Sequence, residues 1–441
     1  MVKSILSAVA AAALICSYTS AAGTPDDADS AQTLLRKSTH NLEENAEVIA
    51  ANLNLDPLTV CKQMMKAQGM EHELQNVLQG NSNGNRSLAN TGTITLNAGG
   101  GMTISGYHKL TTDIEVPEEL GLPGSTGSAA ITLLDGAVLD CDGHSITGGG
   151  SMTRTDGIKV MGDGAQIHNC AVAAFKNGIF GENGGGTLEM NDVAAVDNEE
   201  TGIYLVGWDN IELDKIVTNE NGGGALHIES NIAGTIHVND IEARFNGQGE
   251  DVAAIRVLPN SRRISIEKAR FVGGGQAAVG IYISGVSGGT VEMKDISVTD
   301  TLEIGIFVDG GNTVLEDVIS DWNIGDGLVY SGESLSLKGE NSFSNNGDGD
   351  GHGLIIKGAT TATTVSVDAK AKVAVNNNDG VGIRVENAVG FTMEKKASLE
   401  ACDNDVYDWD TAESTSTFDG KKYHCDADKI NGDGPECKSC E

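Results

Sequence analysis

Proline is scarce, with six residues in a chain of 441 against a usual share of roughly 5%. That deficit excludes collagen and Pro-rich disordered chains. Aromatics are few as well, at 4%. Basic residues are the third shortage: 29 Lys and Arg face 63 Asp and Glu, a formal net charge of −34. A chain so acidic repels phosphates and anionic lipids, which excludes nucleic acid and membranes as partners. Past the N-terminus no apolar run reaches the roughly 20 residues of a membrane span. Residues 93–410 hold no helical pattern of 10–12 residues, which excludes leucine-rich horseshoes with helices and βα barrels. What abounds is glycine, 58 residues, nearly twice the usual roughly 7%. The hydrophobic share of 39% is enough for a folded body.

Lys3, the apolar run from Ile5 to Cys16 and the small residues Ser20-Ala21-Ala22 make a basic n-region, an h-region and a cleavage site. Residues 1–22 therefore read as a secretory signal peptide, and the protein is expected outside the cell or in its wall. Residues 23–79 read as a helical segment, an N-terminal cap or a pro-segment. Its periodicity runs over 30–79, and Asp56-Pro57 supplies an N-cap and a first-turn proline. Residues 80–92 are a polar linker, in which Asn85-Arg86-Ser87 forms a glycosylation sequon at Asn85.

From residue 93 a short phrase recurs: a small residue, an aliphatic one, then alternation. It runs through Gly157-Ile158, Gly178-Ile179, Gly202-Ile203, Ala225-Leu226, Ala254-Ile255 and Gly280-Ile281. It continues through Gly305-Ile306, Gly327-Leu328, Gly353-Leu354, Gly382-Ile383 and Asp405-Val406. Ten steps from Ile158 to Val406 cover 248 residues, a period of about 25 that signals a solenoid. Between them lies a second phrase, apolar-x-apolar-x-x-apolar, as in Ile211-Glu212-Leu213 then Ile216. Its period of two means strands. An asparagine precedes many of the Gly-aliphatic pairs: Asn177, Asn198, Asn221, Asn246, Asn323, Asn346, Asn378 and Asn404. These are expected to ladder inside a turn, amide to amide. The expected fold is all-β, a right-handed parallel β-helix of about 11 coils over 93–410. A small N-terminal helical segment and a Cys-rich acidic tail at 411–441 would close its ends.

The stretch Leu139-Asp140-Cys141-Asp142-Gly143-His144-Ser145-Ile146-Thr147-Gly148 resembles the opening coil of right-handed parallel β-helix proteins. Gly157-Ile158-Lys159-Val160 through Ile167-His168-Asn169-Cys170 to Asn177-Gly178-Ile179 resembles their next coil. The resemblance covers roughly residues 130–410. It implies the pectate-lyase-like superfamily, whose enzymes mostly act on acidic polysaccharides outside cells.

Alternation places one column of side chains outward after each Gly-aliphatic pair: Lys159, Phe180, Tyr204, His227, Arg256, Tyr282, Phe307, Val329, Ile355, Arg384 and Tyr407. Two residues further on, a second column includes Met161, Glu182, Glu229, Ser284, Asp309 and Trp409. Aromatic rings on an exposed sheet suit sugar rings, and carboxylates between them bind hydroxyls. Phe180, Glu182, Glu229, Phe307 and Asp309 are therefore the candidate substrate-binding residues. Tyr204, His227, Arg256 and Tyr282 are the candidate catalytic ones. β-Elimination or epimerisation of a uronate needs its carboxylate neutralised and an α-proton removed. Arg256 suits the first task, and His227 or a tyrosine the second. Glu182 and Glu229, two coils apart, are also a pair for an inverting glycosidase. Gly351-His352-Gly353 resembles the Gly-His-Gly of polygalacturonases, with Asp326 and Arg384 near the positions of that family's aspartates and arginine. Gly325 replaces one aspartate, and Ile383 precedes Arg384 rather than following it. These departures remove the acid pair that hydrolysis requires.

Removal of residues 1–22 leaves seven cysteines: 61, 141, 170, 402, 425, 437 and 440. In an oxidising compartment an odd count leaves a thiol free or paired between chains. Cys141 and Cys170 occupy one place in two coils, to bridge or to fill the core. Cys437-x-x-Cys440 is a lone pair, better suited to a tail disulfide with Cys402 or Cys425 than to zinc. No metal ligand set is assigned. Asp140, Asp142, His144 and the loop Gly347-Asp348-Gly349-Asp350-Gly351 are places where Ca2+ would act if a cation is required. The expected function is a secreted protein that binds an extracellular polysaccharide, acidic or neutral, with lyase or epimerase chemistry if it is an enzyme. The alternatives are a non-catalytic wall, matrix or adhesion protein and a divergent polygalacturonase-like hydrolase.

Overall fold

A computed structural model describes residues 101–440 apart from 117–128, 153–154, 183–184, 231–233, 248, 260–262, 275–276, 287, 348–350, 359–362, 388, 413–415 and 420–422. The expectations for residues 1–22, 23–79 and 80–92, with Cys61 and Asn85, lie outside the described residues. So does Asp348-Gly349-Asp350 of the acidic loop.

The fold is a parallel β-solenoid of about eleven turns. Each small-aliphatic phrase from Gly157-Ile158 to Gly382-Ile383 contributes to a strand, such as Thr201–Val206 or Ile304–Asp309. The corresponding strands of successive turns stack into one parallel sheet of fourteen, from Met102–Ile104 to Ile430–Asn431. Ile203 pairs with Ile179 before it and Leu226 after it. These inward aliphatics are fully buried from Ile158 to Ile383, and each contributes about 1.5–3 kcal/mol through burial.

The second phrase is one long strand folded over a corner. Strands Thr187–Val196, Asn210–Asn219, Thr235–Arg244, Arg263–Val272 and Thr290–Thr299 pair in parallel, turn upon turn. Within each strand a single residue takes the left-handed conformation: Asp192 at φ 54°, Lys215 at 53°, Asp240 at 56°, Lys268 at 52° and Asp295 at 53°. One such residue reverses the inward–outward parity, so two consecutive side chains face outward. This is the origin of the double x in Ile211-x-Leu213-x-x-Ile216.

Seven of the eight asparagines ladder, in two runs; Asn177 instead donates to Asp156 Oδ1 at 2.9 Å, and Asn346 reaches Asn378 through its backbone N–H, at 2.9 Å, rather than its amide. Asn198 Nδ2 donates to Asn221 Oδ1 at 2.8 Å, and Asn221 Nδ2 to Asn246 Oδ1 at 2.7 Å. The second run joins Asn323 to Asn346 at 3.0 Å and Asn378 to Asn404 at 2.9 Å. Between the runs, Thr301 Oγ1 donates to Asn323 Oδ1 at 2.8 Å. The buried carboxylate of Asp408 ends the ladder, its Oδ1 accepting the Asn404 amide at 3.0 Å. The ladder also explains the glycines. A Cβ on Gly202, Gly305 or Gly353 would stand 2.8, 2.6 or 2.6 Å from the ladder amide of the following turn.

The final turn departs from expectation. Its strand is Trp409–Asp410, with Trp409 opposite Ile383, so Trp409 is inward and fully buried rather than outward. It packs edge-on against Phe391, Phe418 and Tyr423, at ring distances of 5.5, 5.4 and 5.9 Å. That aromatic cluster takes over the place of an aliphatic, and Val406 is left 49% exposed. Parallel pairing continues through Thr417–Asp419, Tyr423–His424 and Cys437–Lys438. Three disulfides engage all six described cysteines. Cys141–Cys170 bridges adjacent turns, while Cys402–Cys440 and Cys425–Cys437 staple the tail.

Candidate functional site

The outward column of the fourteen-stranded sheet brings the candidate residues together. Register places Lys159, Phe180, Tyr204, His227, Arg256, Tyr282 and Phe307 in seven consecutive turns, about 4.8 Å apart along the axis. All nine candidate catalytic and binding residues are half-buried. Beyond Phe307 the column changes character. Val329 and Ile355 are buried, at 2% and 8% exposure, between the longer side chains of Phe307 and Arg384 in register.

The rings lie along the column rather than across it. Tyr282 and Phe307 stack at 4.8 Å with only 7° between planes, and Tyr204 stacks on His227 at 4.6 Å. Phe180 sits tilted against Tyr204 at 5.5 Å, with Lys159 Nζ over its ring at 5.4 Å. Arg256 lies over Tyr282 at 5.6 Å. The faces of Tyr204, His227, Tyr282 and Phe307 are therefore turned toward neighbouring turns. Such stacks and cation–π contacts contribute roughly 0.5–1.5 kcal/mol each to the solenoid.

The second outward column is equally engaged. Glu182 pairs with Lys159 at 3.2 Å, and Asp309 accepts from Ser284 Oγ at 3.3 Å. Glu229 Oε1 accepts from Tyr204 Oη at 3.3 Å and lies 3.0 Å from His227 Nε2. Arg256 is the exception. Among the described residues its guanidinium has no ion-pair partner, and its buried Nε has no hydrogen bond.

Electrostatics sorts the two candidate bases. Burial, with help from Arg256, pulls His227 below the ordinary imidazole range against the opposing pull of Glu229. The ring is therefore neutral near pH 7 and able to accept a proton. Burial and then Glu229 push Tyr204 above the ordinary phenol range. Tyr204 therefore stays protonated, as a donor.

The remaining candidates are tied into turns. Asp326 Oδ1 accepts the His352 backbone N–H at 2.8 Å, and His352 Nδ1 accepts the Val381 N–H at 3.2 Å. Burial pushes the Asp326 carboxyl up, with His352, Lys357 and Arg384 pulling against it. Asp140 accepts from Tyr107, Asp142 and Asn169, at 3.1, 2.9 and 3.0 Å. Asp142 pairs with Lys109 at 2.9 Å, and His144 with Asp113 at 3.4 Å. The one cation-like grouping among the described residues, Asp408, Asp426 and Cys440, has its sulfur in a disulfide and Asp408 bonded to Asn404 and Asp426.

Sequence reasoning passed over Trp322, which is 56% exposed between Ile319 and Ile324, each at 43%. Trp322 takes φ 63° immediately before the ladder residue Asn323. That position points outward because the ladder residue points in, and this is the signal that identifies it.

Compared with protein-family models, curated proteins and solved structures, the chain matches none.

Proposed function

We propose that the outward column from Lys159 to Phe307 is the recognition surface of a secreted protein that binds an extracellular, acidic polysaccharide. The observation that carries this reading is Arg256. In a chain with a net charge of −34, a half-buried guanidinium with no carboxylate partner among the described residues stands on the fifth of the seven turns of this column. A planar fork of donors suits a carboxylate or sulfate. The three disulfides accord with an oxidising, extracellular location, and the solenoid accords with the pectate-lyase-like resemblance. Because the faces of Tyr204, His227, Tyr282 and Phe307 are engaged with one another, recognition works through charge rather than through sugars stacked flat on these rings.

A second reading is favoured by one observation. A neutral imidazole, His227, stands one turn from Arg256, which has no ion-pair partner among the described residues, and this is the pairing that uronate lyase or epimerase chemistry needs. Arg256 would neutralise the carboxylate, and His227 would take the α-proton.

An array of acidic and neutral polysaccharides tests both readings. Binding to acidic members is expected to weaken with salt and to fall about tenfold or more in Arg256→Gln. Equal binding of neutral members, or an unaffected Arg256→Gln variant, would overturn the reading. Unsaturated products that vanish in His227→Ala would establish the lyase; binding without products leaves a recognition protein.

A further inference from the structure

We propose that protonation of His227 switches this surface from a weak to a strong binder of anionic glycans. This step rests on the binding role proposed above and adds its regulation.

The geometry confines His227 between groups of opposite demand. On the preceding turn Tyr204 stacks on its ring at 4.6 Å, with Glu182 one turn beyond. On its own strand Glu229 Oε1 lies 3.0 Å from Nε2. The following turn presents Arg256 in register. The inward neighbours Leu226 and Ile228 are apolar and fully buried. Lys159 is matched with Glu182, so the charges that act on His227 directly are Glu229 and Arg256. With a neutral ring the opposite charges of Glu229 and Arg256 sum to zero over the site, although the two form no ion pair with each other. With a protonated ring the imidazolium and Glu229 neutralise one another at 3.0 Å, and the site gains one net positive charge, which Arg256 presents to the ligand.

The direction of the switch follows. Burial holds the imidazole below its ordinary range, so the change falls at mildly acidic pH rather than near neutrality. By linkage, a bound anion must raise the affinity of His227 for its proton by the factor that the proton raises anion binding. One added charge at hydrogen-bonding range from a sulfate, in a half-buried site, is worth about tenfold in affinity.

The test uses dextran sulfate, whose charge is constant across the range, with the secreted chain and its His227→Gln variant at fixed ionic strength. A titration from about pH 8 to about pH 5 spans the ordinary range of histidine. Carboxylates elsewhere discharge in both proteins, so the difference between the two proteins isolates His227. The expected result is an additional gain of about tenfold in the natural chain, with His227→Gln held at its high-pH affinity apart from the shared drift. The NMR-observed His227 titration is expected to coincide with the gain and to move upward when dextran sulfate is bound. If both proteins gain equally, the switch is overturned while the binding role stands. If neither binds at any pH although both are folded, the binding role falls and takes the switch with it.

Discussion

Replacing Asn221 by alanine should remove a large share of the stability of the central turns. Asn221 is fully buried, and its amide serves four partners. Its Oδ1 accepts the backbone N–H of Asn198 at 3.1 Å and the Asn198 amide at 2.8 Å. Its Nδ2 donates to Ala195 O at 2.9 Å and to Asn246 Oδ1 at 2.7 Å. Asn246 Oδ1 keeps a second donor, the Asn221 backbone N–H at 3.1 Å. Truncation therefore strands two donors of Asn198 and one carbonyl in a dry interior. At roughly 1–3 kcal/mol for each unsatisfied group, the loss comes to about 3–6 kcal/mol after some relaxation. Asn221→Asp should be worse near neutral pH, because an oxygen would replace the donor facing Ala195 O and Asn246 Oδ1. The exposed Thr392→Ala is the control, expected within about 0.5 kcal/mol of the parent. Because each turn of a solenoid touches only its neighbours, the readout must be local. Native-state hydrogen exchange should show lost protection over the turns that contain Asn198, Asn221 and Asn246. An Asn221→Ala protein within about 1 kcal/mol of the parent, with unchanged protection there, would refute the ladder as a source of stability.

Two further perturbations act on the rest of the scaffold. Burial raises the carboxyls of Asp156, Asp197, Asp300, Asp321 and Asp326, so the folded state holds these protons more tightly than the unfolded chain does. Their contribution is present below the unfolded carboxylate value of about 3.9 and is lost as pH rises through the folded values; Tm should therefore be higher near pH 5 than near pH 8, with Asp156→Asn narrowing the gap, and a higher Tm at pH 8 would contradict it. Cys402→Ser opens the 38-residue loop to Cys440, a cross-link worth roughly 3–4 kcal/mol; limited proteolysis should then cut within 409–440 while the turns before Cys402 stay intact, and simultaneous cleavage throughout would show that the tail is not a separate unit of stability.

The architecture was legible because a solenoid repeats its constraints. The residue before the aliphatic is small because the next turn's asparagine lies against it, as at Gly305 and Asn323, or because core side chains do, as Val172 and Phe175 do at Gly157 and Val298 and Phe271 at Gly280. The asparagines recur because one amide both gives to and takes from its neighbours. The final turn was not legible, because an aromatic cluster changed the register. Asp405-Val406 has the form of the phrase, yet Trp409 occupies the inward place of Ile383, and nothing local to Val406 records the presence of Phe391 or Phe418. The two possible states of Cys141 and Cys170 were undecidable for a related reason. Equal positions in adjacent turns bring the Cα atoms to 4.8 Å, which suits a bridge, but a buried thiol would satisfy the same spacing.

The candidate site was legible as a set of positions and not as a surface. Alternation put Phe180, Tyr204, His227, Arg256, Tyr282 and Phe307 in one column, and the register of the sheet did so as well. What alternation leaves open is which way a ring turns. Side chains in line on a parallel sheet stand one strand spacing apart, close to the contact distance of two stacked rings. Neighbouring aromatics then satisfy one another before any ligand arrives, as Tyr282 and Phe307 do. A column rich in aromatics is thus a weaker signal for sugar stacking on a solenoid than on other folds. Its informative members are those that the stack cannot satisfy. On this face they are Arg256, whose charge has no counterpart among the described residues, and His227, whose Nε2 meets a carboxylate already shared with Tyr204.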